Sequence, residues 1–417
     1  MTNRDRPRKL ALLVALSFAL PSGSAVAGDE PAKSSGRKPL QVFVLAGQSN
    51  MQGHAHVRTF DAMADDPKTA PLLAQMRDAD GKPRVCEQVW ISSVGCLGDA
   101  YSDRQEAMGR LTVGFGAPEE KIGPEFTFGL TMEERLGEPI LLIKTAWGGR
   151  SLHTDFRPPS AGPYAWSAYE LEQLKGRGED LDQARAEKLE ATGVYYRAMV
   201  DHVRFVLADL PRVVPGYDPQ QGFELAGFVW FQGFNDLVSG WTYERQDQPG
   251  GYDLYAELLA HLIRDVRRDL AAPKLPVVLG VMGIGGLKED KGGAQMHFRQ
   301  AQRAPTRLPE FQGNVVAVET APFWDDELDA LQQRWEQLHD EFHRDAERHP
   351  NWSDEERDAQ RQKATAAKLT PAERKRLEGL SNGGYHYLGA AKILAPIGKA
   401  FAEALLALRG AEVQGGK

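Results

Sequence analysis

The stretch Gln41-Val42-Phe43-Val44-Leu45-Ala46-Gly47-Gln48-Ser49-Asn50-Met51 decides the fold. Its first half is a short apolar run without polar alternation, which a strand buried on both faces of a parallel sheet requires. Its second half sets a serine behind a glycine just past the strand's C-terminal end, where open α/β sheets carry their sites. Similar runs recur at Ile140–Lys144, Leu225–Phe231, Pro276–Val281 and Asn314–Val318. Helical patterns at about 126–136, 187–209, 253–271, 294–304 and 388–408 fall between and after them. Strands alternating with helices predict a layered α/β domain.

The composition fits a globular chain: 417 residues, 42% hydrophobic and 26% charged. Lys+Arg 50 against Asp+Glu 58 gives a net charge of −8, which argues against nucleic acid as a partner, since a phosphate-tracking groove needs excess base. Arg4, Arg6, Arg8 and Lys9, the apolar run Leu10 to Leu20, and Ala25-Val26-Ala27 have the three parts of a secretory signal. The run is too short for a transmembrane span, which takes roughly 20 apolar residues. Cleavage near Ala27 therefore predicts an exported protein, periplasmic or extracellular. Without Asp5 and the four basic residues, 46 positive charges face 57 negative ones, a mature charge of −11.

The expected organisation is a signal peptide over 1–27, a linker over 28–38, one folded domain over 39–410 and a tail over 411–417. Met51 to Gly123, rich in Gly, Asp and Pro, is expected to be a decorated surface loop. Cys86 and Cys96, with nine residues between them, are expected to staple that loop in an oxidising compartment, the alternative being two buried thiols. In the stretch 325–380, 25 of 56 residues are charged, and Leu328, Leu331, Trp335, Leu338 and Phe342 follow helical spacing. Ser353 with Glu356, and Thr370 with Pro371 and Glu373, mark two further helix starts. This segment is a helical insertion, either a solvated hairpin on one apolar seam or a lid or partner surface.

Chemistry gathers at the strand ends. Ser49 follows the first strand, and its own amide can face a developing oxyanion, although a serine there is also a plain helix cap. Ile140–Lys144 leads into Thr145-Ala146-Trp147-Gly148-Gly149-Arg150-Ser151, a Gly-Gly turn with amides free to approach a ligand. Leu225–Phe231 leads into Gln232-Gly233-Phe234-Asn235-Asp236, which supplies two side-chain amides. Gly383-Gly384-Tyr385-His386-Tyr387, before the last helix, presents a possible base. His54 and His56 are close in sequence but lack a third ligand, so no metal site is expected.

In these blocks the chain resembles the SGNH hydrolases, specifically the sialate O-acetylesterase-like branch that includes carbohydrate acetylesterases and acetylxylan esterases. Gly47-Gln48-Ser49-Asn50-Met51, Ala146-Trp147-Gly148-Gly149-Arg150-Ser151, Trp230-Phe231-Gln232-Gly233-Phe234-Asn235-Asp236 and His386 come in the family order. The resemblance implies a three-layer α/β/α, flavodoxin-like domain that hydrolyses an O-acyl ester on an acetylated carbohydrate without metal or organic cofactor. It implies Ser49 as nucleophile and His386 as base. The oxyanion donors would be the amides of Ser49 and Gly149, with Gly148 as the alternative, and a side-chain amide of Asn235 or Gln232.

Gln48, Trp147, Arg150 and His153 are candidate substrate contacts, with His54 and Arg299 nearby. The family's Asp three residues before its histidine is Gly383 here, so Asp236, Glu319 and Asp325 are the candidate orienting acids, or a backbone carbonyl holds the ring. Phe234 stands where the branch often has Glu. The alternative from another class is a carbohydrate-binding relative without turnover. A third reading is an interaction protein working through the 325–380 helices.

Overall fold

The computed structural model describes residues 38–97, 105–118, 120–288 and 293–415. Nine strands form in chain order: β1 (Leu40–Gly47), β2 (Ala55–His56), β3 (Val89–Val94), β4 (Ala107–Arg110), β5 (Lys121–Ile122), β6 (Ile140–Ala146), β7 (Phe223–Phe231), β8 (Val277–Val281) and β9 (Val315–Glu319). Seven make one sheet in the order β4-β3-β6-β1-β7-β8-β9, while β2 and β5 pair separately. Within the large sheet only β4 runs antiparallel to its neighbour. The five strands anticipated from sequence lie side by side in a 2-1-3-4-5 order, the flavodoxin-like arrangement whose site sits where the winding reverses beside the first strand.

Side chains of β1 alternate between two cores, as the two-residue period of a strand demands. Phe43 and Leu45 pack on one side with Phe126 and Phe128 of the helix Pro124–Leu136 and with Ile393, Ile397 and Phe401 of the terminal helix Ala391–Gly415. Val42, Val44 and Ala46 pack on the other with Val203 of Val194–Ala208, Leu262 and Ile263 of Asp253–Asp269, and Phe298 of Ala294–Arg303. Both faces are covered, giving three layers. The helical stretch expected at 187–209 is two helices, Leu181–Ala191 and Val194–Ala208, broken at Gly193 with φ +70°.

Two expectations are revised. The segment Met51 to Gly123 is not merely loop, because it supplies the edge strand β4 and its neighbour β3. Ser92 and Ser93 disguise β3 as polar, yet both are buried, and Ser92 is satisfied by Glu106 and His202 at 2.6 and 2.9 Å. Cys86 and Cys96 are free buried thiols, and burial pushes both thiol pKa values up, so neither staples the loop. Finally, the signal segment lies outside the described residues. No described helix is long and apolar enough to cross a membrane.

The charged segment forms Asp326–Arg348, Asp354–Lys368 and Pro371–Leu377. Ser353 with Glu356 and Thr370 with Glu373 close full capping boxes at the last two helices. The first helix buries Leu328, Leu331 and Gln332.

Beneath the first strand's exit lies an ion pair with no solvent access. Lys144 Nζ, on β6, donates at 2.7 Å to Glu125 Oε2, to Gln52 O and to Phe115 O. Glu125 Oε1 accepts from Gly123 N at 2.8 Å. A buried ammonium with three acceptors is satisfied, and it fixes the end of the turn Ser49–Gln52 to the sheet. Lys144→Met strands the carboxylate and is expected to lower unfolding free energy by about 3–5 kcal/mol, whereas Lys144→Met with Glu125→Gln recovers much of it. Urea denaturation of both variants checks this.

Candidate active site

Strand register brings three of the four sequence blocks together. Gly47 is level with Ala146 on β6 and with Phe231 on β7, so the three chains leave the sheet side by side. Contact at this level is close: a Cβ on Gly47 would lie 2.1 Å from Phe231 O and 3.0 Å from Met51 Cβ. Glycine is required there by space. From these exits the chain runs into Gln48-Ser49, into Trp147-Gly148-Gly149 and into Gln232-Gly233-Phe234-Asn235.

Ser49 opens the short turn Ser49–Gln52 and is 7% exposed. Its N–H and its Oγ make no hydrogen bond among the described residues. The N–H of Gly149 likewise has no acceptor among them. Gly149 has φ +70° and open space where a Cβ would stand. A positive φ is cheap only for glycine, and here it holds an amide at the cleft.

The two candidate side-chain donors separate. Gln232 is buried, and its Nε2 donates to Asp236 Oδ2 at 2.6 Å, Arg150 O at 3.0 Å and Gln48 Oε1 at 3.1 Å, so it is scaffold. Asn235 accepts on Oδ1 from Gln48 Nε2 at 2.9 Å. That bond orients the amide, and Asn235 Nδ2 is left without a partner among the described residues. Gln48, itself 1% exposed, is the residue that aims Asn235.

Asp236 accepts from the N–H groups of Leu152 and His153 at 2.7 and 3.1 Å and from Tyr243 Oη at 2.8 Å. It therefore ties the Gly148-Gly149 block to the Asn235 block. Glu319 forms a two-point ion pair with Arg303. Asp325 caps the helix Asp326–Arg348 through Leu328 N at 2.9 Å and pairs with Lys392 at 2.7 Å. None of the three bonds His386, because each carboxylate is committed elsewhere.

His386 sits in the turn Gly384–Gly389, which packs against both the Ser49–Gln52 turn and β2. Its Nδ1 lies 2.9 Å from Asn382 Oδ1, so an amide occupies the place where an acid was expected. Nε2 of His386 and Oγ of Ser49 make no hydrogen bond to each other or to any other described residue. Burial holds the His386 imidazole down at about 4, with Lys121 adding to the effect. His54 stacks on His386 with centroids 3.8 Å apart and planes 3° apart.

The turn is held in a strained form. Tyr387 and Leu388 have φ of +53° and +62°, costly for side chains of this size. Tyr387 Oη accepts from Gly283 N at 2.8 Å and meets Thr320 Oγ1 at 2.7 Å, which anchors the strain to the ends of β8 and β9.

The remaining candidates lie deeper. Trp147 packs on Phe156 and Tyr195, and His153 on Tyr164 and Tyr243, and both are under 9% exposed. They support the wall rather than present a face to a sugar. Arg150 is half-buried beside Tyr195, its guanidinium carbon 4.4 Å from the ring centroid. Arg299 braces a loop through Gly286 O and Ile284 O at 2.8 and 3.0 Å. Among the described residues no cluster of three or more His, Cys, Asp or Glu is placed to hold a metal ion, and His56 Nδ1 accepts from Arg58 N.

Comparison with known proteins adds to this geometry. No curated protein matches the chain. Among solved structures, a protein from Arabidopsis thaliana is similar at 19% identity over 68% of this chain and 86% of that one, with a TM-score of 0.37. A carbohydrate acetylesterase from Xanthomonas citri is similar at 17% identity, with a TM-score of 0.38. The match covers 68% of this chain and about half, 51%, of that one. The family profile described as "carbohydrate esterase, sialic acid-specific acetylesterase" matches residues 39–348, which include Ser49, Gly149 and Asn235. The chain, a carboxylic ester hydrolase of three-layer α/β/α architecture, belongs to this carbohydrate esterase family.

Proposed function

We propose that the protein removes acetyl or another short acyl group from a carbohydrate hydroxyl through an acyl-enzyme on Ser49. The single observation that carries this reading is the convergence of unengaged groups. The Ser49 hydroxyl, the N–H of Ser49, the N–H of Gly149 and Asn235 Nδ2 come from three adjacent strand ends, and the turn that carries His386 packs against the turn Ser49–Gln52. A buried polar group is usually paired in a folded protein, and Ser49 is buried. Several groups left unengaged at neighbouring strand ends are what an oxyanion and a transferred proton require.

Each group has a role in the reaction. His386 Nε2 takes the proton as Ser49 Oγ attacks the ester carbon, and the carbonyl oxygen becomes an oxyanion between the three donors. Collapse expels the sugar hydroxyl, which takes the proton back from His386. Water, deprotonated by the same imidazole, then attacks the acyl-Ser49 carbonyl, and collapse releases the acid and restores Ser49. A base with its pKa near 4 is neutral throughout the neutral range and ready to accept. The acidic mature chain and the signal-like N-terminus suit an extracytoplasmic substrate.

Ser49→Ala is expected to abolish the burst of p-nitrophenol from p-nitrophenyl acetate and the release of acetate from acetylated polysaccharides. Full turnover by that variant would remove the mechanism. Absence of turnover on a wide ester panel, with sugar binding intact, would point to a binding module instead. Asn235→Ala, which removes a donor, is expected to lower kcat on the order of 10²–10³-fold with little change in KM, Gly149→Ala, which keeps its N–H but strains a positive φ, is expected to cost less, and Gln232→Ala should act chiefly on stability. Steady-state kinetics together with thermal melts of the three variants check this division.

A further inference from the structure

His386 Nδ1 has no carboxylate partner, yet its surroundings are built to high order. Asn382 Oδ1 accepts from Gly383 N at 2.8 Å as well as facing His386 Nδ1 at 2.9 Å. The backbone N–H can only donate, so the oxygen of the Asn382 amide, not its nitrogen, must face the ring. His386 then carries its proton on Nδ1 and leaves the Nε2 lone pair toward the cleft, the tautomer a base needs. Asn382 Nδ2 points the other way and reaches His54 Nδ1 at 3.3 Å. His54 in turn lies flat against His386.

We propose that Asn382 and His54 together are the positioning unit for the His386 base, replacing an orienting carboxylate with a neutral amide and a neutral stacked ring. The proposal rests on the Ser49 and His386 reading given above. An amide in this place usually fails because its NH2 group turns to the imidazole and forces the wrong tautomer, which costs about 10⁴-fold in a serine triad. Here that flip is opposed by Gly383 N, which can only donate and so holds Oδ1 in place.

The loop is held from outside as well. Gln332, from the charged helix Asp326–Arg348, donates to Asn382 O at 3.1 Å. Ser381 Oγ donates to His54 O at 2.8 Å and accepts from His56 N at 3.1 Å, locking the Asn382 segment to the strand that follows His54. This gives the insertion a mechanical task at the base without touching substrate.

The electrostatic consequence follows from the groups around the ring. His54 faces it across the stack, Lys121 acts from the β5 side, Tyr385 precedes it, and Asp329 lies near Gly384. No carboxylate bonds the imidazolium, so nothing raises its pKa against burial. His54 is held lower still, at about 3, by burial first and then by His386, Lys121 and Lys144, so it stays neutral when His386 takes the serine proton. A neutral ring face over an imidazolium is favourable, whereas two cations would repel. The base therefore remains unprotonated well below the usual histidine range, and turnover should persist into acid.

The test is the pH dependence of kcat/KM with matched variants. Wild type is expected to hold its activity down to an acid limb near pH 4. Asn382→Asp introduces a carboxylate that favours the imidazolium and should move that limb up by about one to three pH units. Asn382→Leu should lower kcat on the order of 10²-fold at unchanged KM. His54→Phe, which keeps a flat ring, should retain more activity than His54→Ala. A ¹⁵N spectrum of the wild-type imidazoles needs no variant and should show His386 as the Nδ1–H tautomer. An acid limb that stays put in Asn382→Asp, wild-type kcat in Asn382→Leu, or the Nε2–H tautomer in wild type would each overturn the proposal. Loss of turnover in Ser49→Ala and His386→Ala alongside any of these would leave the esterase reading standing. Turnover surviving those two variants would remove that reading itself.

Discussion

The close approach of β1 to β7 at Gly47 is the constraint on which the rest of the molecule depends. With no side chain at that position, Phe231 O can sit where a Cβ would otherwise be, and the strand ends stay level. Level ends make the three connecting loops leave from one line at the point where the sheet reverses its winding. A larger residue would force β1 and β7 apart, and the donors on the loops would no longer face one point. The catalytic geometry proposed for this protein is thus a property of register before it is a property of any side chain.

Around that line the polar residues divide their labour. Lys144 and Glu125 hold the serine turn from below, Asp236 ties the glycine block to the Asn235 block, and Gln48 aims the Asn235 amide. Each of these is buried and occupied with other protein groups. The groups left open are fewer and lie at the cleft. This separation is what low reorganisation at the oxyanion requires, since donors that are already aimed need not move as charge develops.

The parallel strands were legible because a short, continuous apolar run bounded by turn residues fits a strand covered on both faces and little else. That Ser49, Gly149 and Asn235 would follow neighbouring strand ends was legible because each follows such a run. The strand Val89–Val94 was not, since its serines look like loop residues until Glu106 and His202 are seen to satisfy one of them. Gln48, Trp147 and His153 are near the site in sequence but face inward, a distinction that proximity along the chain does not carry. The contact of Asn382 was hidden for a different reason: an amide four residues before the histidine reaches the ring because the chain turns between them, with His386 N donating to Gly383 O at 2.9 Å. The helix Asp326–Arg348 was readable from its apolar spacing, but its bond from Gln332 to the histidine loop was not.

The measurement that bears most directly on this account is a crystal structure of the protein inactivated with an alkyl phosphonate. The account predicts phosphorus bonded to Ser49 Oγ, with the phosphoryl oxygen within hydrogen-bonding distance of the amides of Ser49 and Gly149 and of Asn235 Nδ2, and His386 Nε2 on the opposite side. A phosphoryl oxygen turned away from those donors, or an adduct on another residue, would contradict it.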